Sequence, residues 1–244
     1  VNLHRFASSG FITSLSKATE KIGFDKNPFS FLFTKKVPHE IGNGKHEVER
    51  NQALIAHLTE TKAAKPVLYP DGSDLAKVNE LLTQHKTSVN NYTCIAPASV
   101  WFTKQLPEEK WIELLNKMDF ASPVFIVGAS SDNALAASIK LLSKHSNIVN
   151  LCGKLSFLES CVLFKYAKMN YVNDSAPLHL CSAMNAPVTV FYCSTVPAFG
   201  FGPLSDHSKI IQINQKLDCR PCGLHGYKAC PQGHFDCAHK IEIN

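Results

Sequence analysis

The 244-residue sequence lacks any apolar run that approaches the ~20 residues needed to cross a bilayer. It lacks basic runs as well, because its 25 Lys and Arg residues are scattered and leave a formal charge of only +5. This pattern predicts no transmembrane segment and no nucleic-acid partner, while it permits weak attraction to anionic substrates or membrane surfaces. With 45% apolar residues, the chain is expected to fold as one large or two small globular domains.

Two common phosphate-binding signatures are also missing. The sequence contains no Gly-Lys-Ser or Gly-Lys-Thr, so it has no phosphate loop of the NTPase type. It contains no Gly-x-Gly-x-x-Gly, which argues against the usual dinucleotide-binding fingerprint. Any nucleotide site must therefore be built from other loops.

Nine cysteines are present, an odd number. In apolar surroundings a free cysteine behaves as a small hydrophobic residue, which favours a reducing cytoplasm over a disulfide framework. Five cysteines lie within or beside apolar segments: Cys94, Cys152, Cys161, Cys181 and Cys193.

The other four cysteines form a tail with the spacing Cys-x2-Cys-x7-Cys-x6-Cys, interleaved with three histidines. Four thiolates can close a tetrahedral zinc site. The alternative is a set of reduced thiols that fix a C-terminal loop by packing. We favour the second interpretation and predict no metal; the candidate zinc ligands are Cys219, Cys222, Cys230 and Cys237.

Short apolar strands alternate with helical patterns from about residue 92 onward. We predict strands at 94–96, 124–127, 148–151, 169–172, 188–192 and 210–213, with helices between them. This alternation predicts a parallel, doubly wound sheet that is covered on both faces.

The first part of the chain is less regular. It predicts a helix carrying Phe11 and Leu15, a strand at 22–24, a long loop at 27–44 and a helix near 47–58. The Pro- and Gly-containing stretch 62–75 is the expected junction, which gives domains 1–75 and 76–244.

The most informative run begins at Asp174, where a strand ends and a helix starts. The first amides of a helix have no partner inside it and carry partial positive charge, so this turn attracts phosphate. We expect amides 175–178 to face a phosphate, with the small Ala176 allowing close approach. We expect the carboxylate of Asp174 to cap the turn. The alternative is that Asp174 or Ser175 is only a helix cap.

Two further polar loops follow predicted strands. Ser99 and Lys104 come after the strand 94–96, and Gly128 to Asp132 come after 124–127. Ligands of open α/β sheets bind beyond the carboxyl ends of the strands. Lys104 supplies a point charge for a diphosphate unless it is a solvated surface lysine. Asp132 accepts from ribose hydroxyls unless it is a helix cap.

Taken together, these loops resemble glycosyltransferase family 9, the lipopolysaccharide heptosyltransferases. The resemblance covers nearly the whole chain and rests on short motifs in the family's order. They are Leu3–Arg5, Ser9–Gly10, Ile22–Phe24, His46–Arg50, Pro97–Trp101, Lys104, Pro107–Trp111, Val127–Gly128, Asp132, Leu151–Lys154, Asn173–Leu180 and Gly202–Pro203.

The resemblance implies an α/β fold of GT-B type, with two Rossmann-like domains and the N-terminal one incomplete in this chain. It also implies inverting transfer of a heptose from ADP-heptose to the inner core on lipid A, with no cofactor. The acceptor lies at the inner face of the cytoplasmic membrane, so the protein is expected to be cytoplasmic, with peripheral attachment to that membrane left open.

Residue roles follow from the same resemblance. Ser99 and Lys104 would bind the donor diphosphate, and Asp132 would lie near the nucleoside. The turn that holds the diphosphate would comprise Asp174, Ser175, Ala176, Pro177, Leu178 and His179. Arg5 and Ser9 are weaker candidates for the acceptor side.

Three departures from the family pattern bear on function. Ala176 replaces the family's usual glycine, and Gln105–Pro107 replaces the commoner Arg-Trp-Pro. The family's Gly-Asp loop, which carries its proposed general base, has no counterpart, so the catalytic residue is unknown and the chain is expected to begin within the N-terminal domain. The alternative function is a nucleotide-binding fragment or degenerate family member without activity.

Overall fold

The computed structural model describes residues 1–60 and 62–243, which divide into two compact units. The first unit comprises 1–65 together with the short segment 197–202, and the second comprises 66–196 and 203–244. The boundary expected after residue 75 falls inside a helix of the second unit, Gly72–Gln84.

In its described residues, the first unit contains two α-helices and two strands, α1 (Ala7–Leu15), β1 (Ile22–Phe24), β2 (Lys35–Val37) and α2 (Glu47–Ala53). The strands pair in parallel, and Asn2 bridges to Gly23 beside them. The region 27–44 is therefore not entirely loop as expected. Strand β2 was missed because its two lysines are exposed and give it no apolar pattern.

Arg50 in α2 is the main polar anchor of this unit, since its side chain is buried. Its Nε lies 2.6 Å from Glu47 Oε2, while Nη1 donates to the Lys45 carbonyl at 2.6 Å and Nη2 to the Phe199 carbonyl at 2.7 Å. The Glu47 amide donates to the carbonyl of Gly200. These bonds explain why 197–202 belongs to the first unit although it is distant in sequence.

The second unit is built around six strands. They are β3 (Thr93–Ala96), β4 (Val124–Ile126), β5 (Ile148–Asn150), β6 (Met169–Asn173), β7 (Val188–Tyr192) and β8 (Ser208–Gln212). All pair in parallel in the order β5-β4-β3-β6-β7-β8. This is the doubly wound order, and its direction reverses between β3 and β6. The α/β expectation is confirmed.

Helices cover both faces of this sheet: α3 (Gly72–Gln84), α4 (Glu108–Asn116), α5 (Asn133–Leu142), α6 (Phe157–Lys165), α7 (Ala176–Ala183) and the short α8 (Asp236–His239). Two separate cores result, one around Phe125 and Phe164, the other around Trp111 and Phe191. The five cysteines expected to act as hydrophobic residues are all buried. Burial raises the pKa of the Cys161 thiol to about 11, so it stays protonated at neutral pH.

Helix α3 had no counterpart in the sequence-based expectation. Only Val78 and Leu82 of its side chains are buried, so its apolar stripe is thin. Its start is instead determined by a capping box, in which Asp71 accepts from the amides of Ser73 and Asp74. The neighbouring Pro and Gly residues are typical of a linker, and the capping box at the start of α3 was therefore overlooked.

Replacing Arg50 with methionine should destabilise the first unit by roughly 2–4 kcal/mol, because it leaves a partly buried carboxylate and carbonyl oxygens without their donor. Hydrogen exchange at the Glu47 amide measures the effect directly, since that amide bonds to Gly200. Lys36→Met removes an exposed charge and serves as the control. Equal exchange rates in the two variants would refute the anchoring role of Arg50.

Candidate functional site

A cleft of about 630 Å³ opens at the carboxyl ends of β3, β4 and β6. Its walls are drawn from four stretches that follow these strands or begin α6, namely residues 96–100, 127–132, 155–164 and 175–180. The cleft therefore lies where the strand order reverses, which is the usual ligand position in such sheets. Its volume is within the ~300–1,000 Å³ range of small-molecule sites.

Asp174, which directly precedes the cleft-lining Ser175, forms an ion pair with Lys104. Lys104 Nζ is 2.7 Å from Asp174 Oδ2, and the two side chains are 16% and 7% exposed. The same carboxylate oxygen accepts from Thr195 Oγ1 at 2.6 Å. Lys104 is therefore not a solvated surface lysine. It is held in place by a nearly buried carboxylate.

The expected capping role of Asp174 is wrong. Helix α7 has Ser175 at its N-cap position and no side-chain cap bond. A carboxylate this deeply buried needs a cation and strong donors, and Lys104 and Thr195 supply them. The alternative that the Ser175 side chain caps the helix also fails, since it accepts no amide of α7; its hydroxyl donates to the Asn173 carbonyl at 3.4 Å.

The turn before α7 offers fewer amides than the sequence suggested. Pro177 has no N–H, and the Leu178 amide donates to the carbonyl of Ser175. Within the described chain, the amides of Ser175 and Ala176 have no recorded acceptor. Both residues line the cleft. Two backbone amides, rather than the four expected at 175–178, are thus available to an anion at the N-terminus of α7.

Ser99 and Asp132 also line the cleft. Asp132 already makes local bonds, because its Oδ2 accepts from the Ala129 amide at 2.8 Å and its Oδ1 from Ser131 Oγ at 3.2 Å. Gly128 allows this turn, since a Cβ there would lie 2.8 Å from Asp132 Oδ2. The Asp132 side chain therefore stabilises the loop that carries it, and the residue also lines the cleft.

Asn173 is a positioning residue that sequence analysis missed. Its fully buried side chain donates to the Pro97 carbonyl at 2.7 Å and accepts from the Leu106 amide at 2.9 Å. One side chain from β6 thereby holds both ends of the loop that carries Ser99 and Lys104. The available signal was an asparagine at the last position of a buried strand, directly before the polar turn.

The other predicted residues are dispersed. Leu178 is fully buried in the core, and His179 is exposed on α7. Arg5 and Ser9 belong to the first unit, where Ser9 Oγ donates to the Phe6 carbonyl at 2.9 Å. The structure therefore groups Ser99, Asp132, Ser175, Ala176 and Pro177 around one cleft.

Among the described residues, the four cysteines of the tail form no disulfide, and Cys219 Sγ lies 3.8 Å from His234 Nε2. Burial, followed by neighbouring thiols, raises the pKa of Cys222, and burial raises that of Cys237 to about 12. In the part of the chain that the structure describes, no three His, Cys, Asp or Glu side chains are grouped so as to hold a metal. Cys219, Cys222 and Cys230 lie outside regular secondary structure, whereas Cys237 belongs to α8.

A parallel, doubly wound sheet with polar loops at its switch point is the architecture of Rossmann-like α/β proteins. The chain matches the model of glycosyltransferase family 9 (heptosyltransferase) over residues 1–226 and belongs to that family. It is 27% identical over 185 residues to lipooligosaccharide heptosyltransferase 2 of Haemophilus ducreyi. That match covers 68% of this chain and 52% of the relative, so the chain spans about half the length of the curated relative.

Solved structures share the fold. The ADP-heptose lipopolysaccharide heptosyltransferase II of E. coli superposes with a TM-score of 0.69 at 18% identity, covering 94% of this chain and 71% of that one. A family 9 glycosyltransferase of Veillonella parvula gives 0.75 at 16% identity, covering 86% and 61%. E. coli heptosyltransferase WaaC with ADP gives 0.56 at 22% identity, covering 76% and 55%.

The Lys104–Asp174 pair should show strong energetic coupling. In a double-mutant cycle with Lys104→Met and Asp174→Asn, urea unfolding should give a coupling of about 1–3 kcal/mol, because the pair is largely shielded from water. The control cycle uses Lys117 and Glu113, which lie 2.9 Å apart but are 54% and 38% exposed. That pair should couple by less than about 0.5 kcal/mol. Equal coupling energies in the two cycles would contradict the conclusion that the Lys104–Asp174 pair is shielded from water and strongly coupled.

Proposed function

We propose that the protein transfers a heptose from ADP-heptose to the inner core of lipopolysaccharide, with inversion at the anomeric carbon. The observation that carries this proposal is the cleft at the switch point of the sheet, flanked by the Lys104–Asp174 pair, in a member of family 9. The division of the cleft into an apolar part and an anion-attracting part supports this donor.

The apolar part suits a nucleoside. Leu155, Phe157 and Phe164 contribute apolar surface to the cleft, which a flat base can cover. Asp132 stands on the opposing loop after β4 and keeps unused lone pairs for ribose hydroxyls. The adenosine is therefore proposed to lie between the loop 127–132 and the start of α6.

The anion-attracting part suits a diphosphate. The amides of Ser175 and Ala176 stand at the positive end of α7, where phosphate is stabilised. The ammonium of Lys104 has three N–H donors and directs one to Asp174, so the others remain for phosphate oxygens. Donors fixed in advance stabilise the charge that develops on the departing ADP as the bond to the sugar breaks.

The candidate residues for the acceptor belong to the first unit. Arg5 and Ser9 of the first unit are proposed to face the anionic lipid A–core acceptor, and the formal charge of +5 agrees with such a partner. Among the described residues, no helix has the length and apolarity to span a bilayer. We propose that the protein works in the cytoplasm and meets its acceptor peripherally at the inner membrane.

Transfer and donor binding can be tested separately. Calorimetric titration with ADP, UDP, GDP and CDP should show tightest binding of ADP, and Lys104→Ala should weaken it by roughly 1–3 kcal/mol. Mass spectrometry of a heptose-deficient lipid A–core acceptor, incubated with ADP-heptose and the protein, should then show one added heptose. Binding without transfer would support the nucleotide-binding alternative. Absence of ADP binding would overturn the proposal.

The substitution Ala176→Val probes the proposed phosphate turn. Its β-branched side chain would crowd the two available amides, so we expect ADP affinity to fall about tenfold, equivalent to roughly 1.4 kcal/mol. Thermal stability should change little because the residue is exposed. The control Ala137→Val alters an exposed alanine of α5 that does not line the cleft. Normal ADP binding by the Ala176→Val protein would place the phosphate elsewhere.

A further inference from the structure

The segment 219–227 of the cysteine-rich tail contacts the two backbone segments that carry Lys104 and Thr195, the side chains that bond to Asp174. One piece carries Thr103 and Lys104, and the other is the stretch 193–195 after β7. Neither piece belongs to a strand or an α-helix. The first piece is a single 3-10 turn, Phe102–Lys104, and the second is a loop, so their positions depend on contacts with other parts of the chain.

Thr103 is the centre of the first set of contacts. It is 1% exposed, and its hydroxyl oxygen accepts from the Tyr227 amide at 2.8 Å and from Ser194 Oγ at 3.0 Å. Its amide donates to the Tyr227 carbonyl, and its carbonyl accepts from the Ser194 amide. Each polar group of Thr103 is thus bonded to the tail or to the stretch after β7.

The tail must also approach this loop very closely. Gly226 has a φ of +77°, and a Cβ there would lie 2.8 Å from Thr103 Oγ1 and 3.0 Å from Lys104 Cγ. Only glycine combines this backbone conformation with this proximity. The tail is therefore packed directly against the stem of the lysine that pairs with Asp174.

Arg220 supplies the second set of contacts. Its Nε donates to the Cys193 carbonyl at 2.7 Å, and its Nη2 to the Thr195 carbonyl at 2.8 Å. The Cys222 amide donates to the carbonyl of Ser194 between them. The tail thus holds three consecutive residues, of which Thr195 donates to Asp174.

We propose that the tail is a positioning element of the donor site, with Thr103, Arg220 and Gly226 as positioning residues that hold the Lys104 ammonium for the leaving diphosphate. This inference deepens the proposed function and rests on it for the identity of the ligand. The mechanism is steric and polar preorganisation. Misplacing a charged donor by about 1 Å can cost on the order of 100-fold in binding or rate.

The isosteric substitution Thr103→Val tests the proposal because it removes the hydroxyl and keeps the volume. ADP affinity should fall about tenfold, while Thr103→Ser, which restores the hydroxyl, should bind nearly as the wild type. Thr189→Val is the matched control, since Thr189 is also a buried threonine, but within the described chain its hydroxyl bonds only to the Met169 sulfur on β6. A purely structural role would lower the melting temperature of both valine variants and leave ADP affinity unchanged.

A second readout does not depend on ADP. Acetylation of Lys104 by an amine-reactive ester, followed by mass spectrometry, should be slow in the wild type relative to the exposed Lys140. It should rise several-fold in Thr103→Val and Gly226→Ala but not in Thr189→Val. If the wild-type protein does not bind ADP, the proposed function is refuted, while the acetylation of Lys104 still tests the positioning role. Unchanged acetylation in both tail-contact variants would refute the positioning role.

Discussion

The carboxylate of Asp174 is the group on which the arrangement of the site depends. It lies almost entirely out of water at the end of the central strand β6, where an uncompensated charge would be costly. Its compensation comes from two distant parts of the chain, Lys104 after β3 and Thr195 after β7. The loops that follow three adjacent strands are thereby required to meet at one point, and that point adjoins the cleft.

The parallel sheet makes such a meeting possible. With all six strands parallel, their carboxyl ends share one edge, and the strand order reverses between β3 and β6, where the gap between the crossovers forms the cleft. Asn173, on β6, fixes the loop after β3 at both of its ends. The first turn of α7 then presents its amides to the same gap. Fold and site are therefore consequences of one topology.

The sheet was largely predictable because strands buried on both faces read as continuous apolar runs; Val188–Tyr192 was expected and found with the same bounds. Loops that follow such strands could be located for the same reason. The Lys104–Asp174 pair could not, since 70 positions separate two residues that each look like surface charges. The sequence also could not predict that 197–202 belongs to the first unit, because Arg50, which is distant in sequence, binds that segment. Local patterns do not report long-range polar contacts.

The central claim is that the carboxyl edge of β3, β4 and β6 receives the nucleotide of the donor. A crystal structure of the protein with ADP tests this claim most directly. The account predicts the base between the loop 127–132 and the start of α6, with phosphate oxygens within hydrogen-bonding distance, about 3 Å, of the Ser175 and Ala176 amides and of Lys104 Nζ. ADP bound at the amino ends of the strands, or on the β8 edge of the sheet, would contradict it.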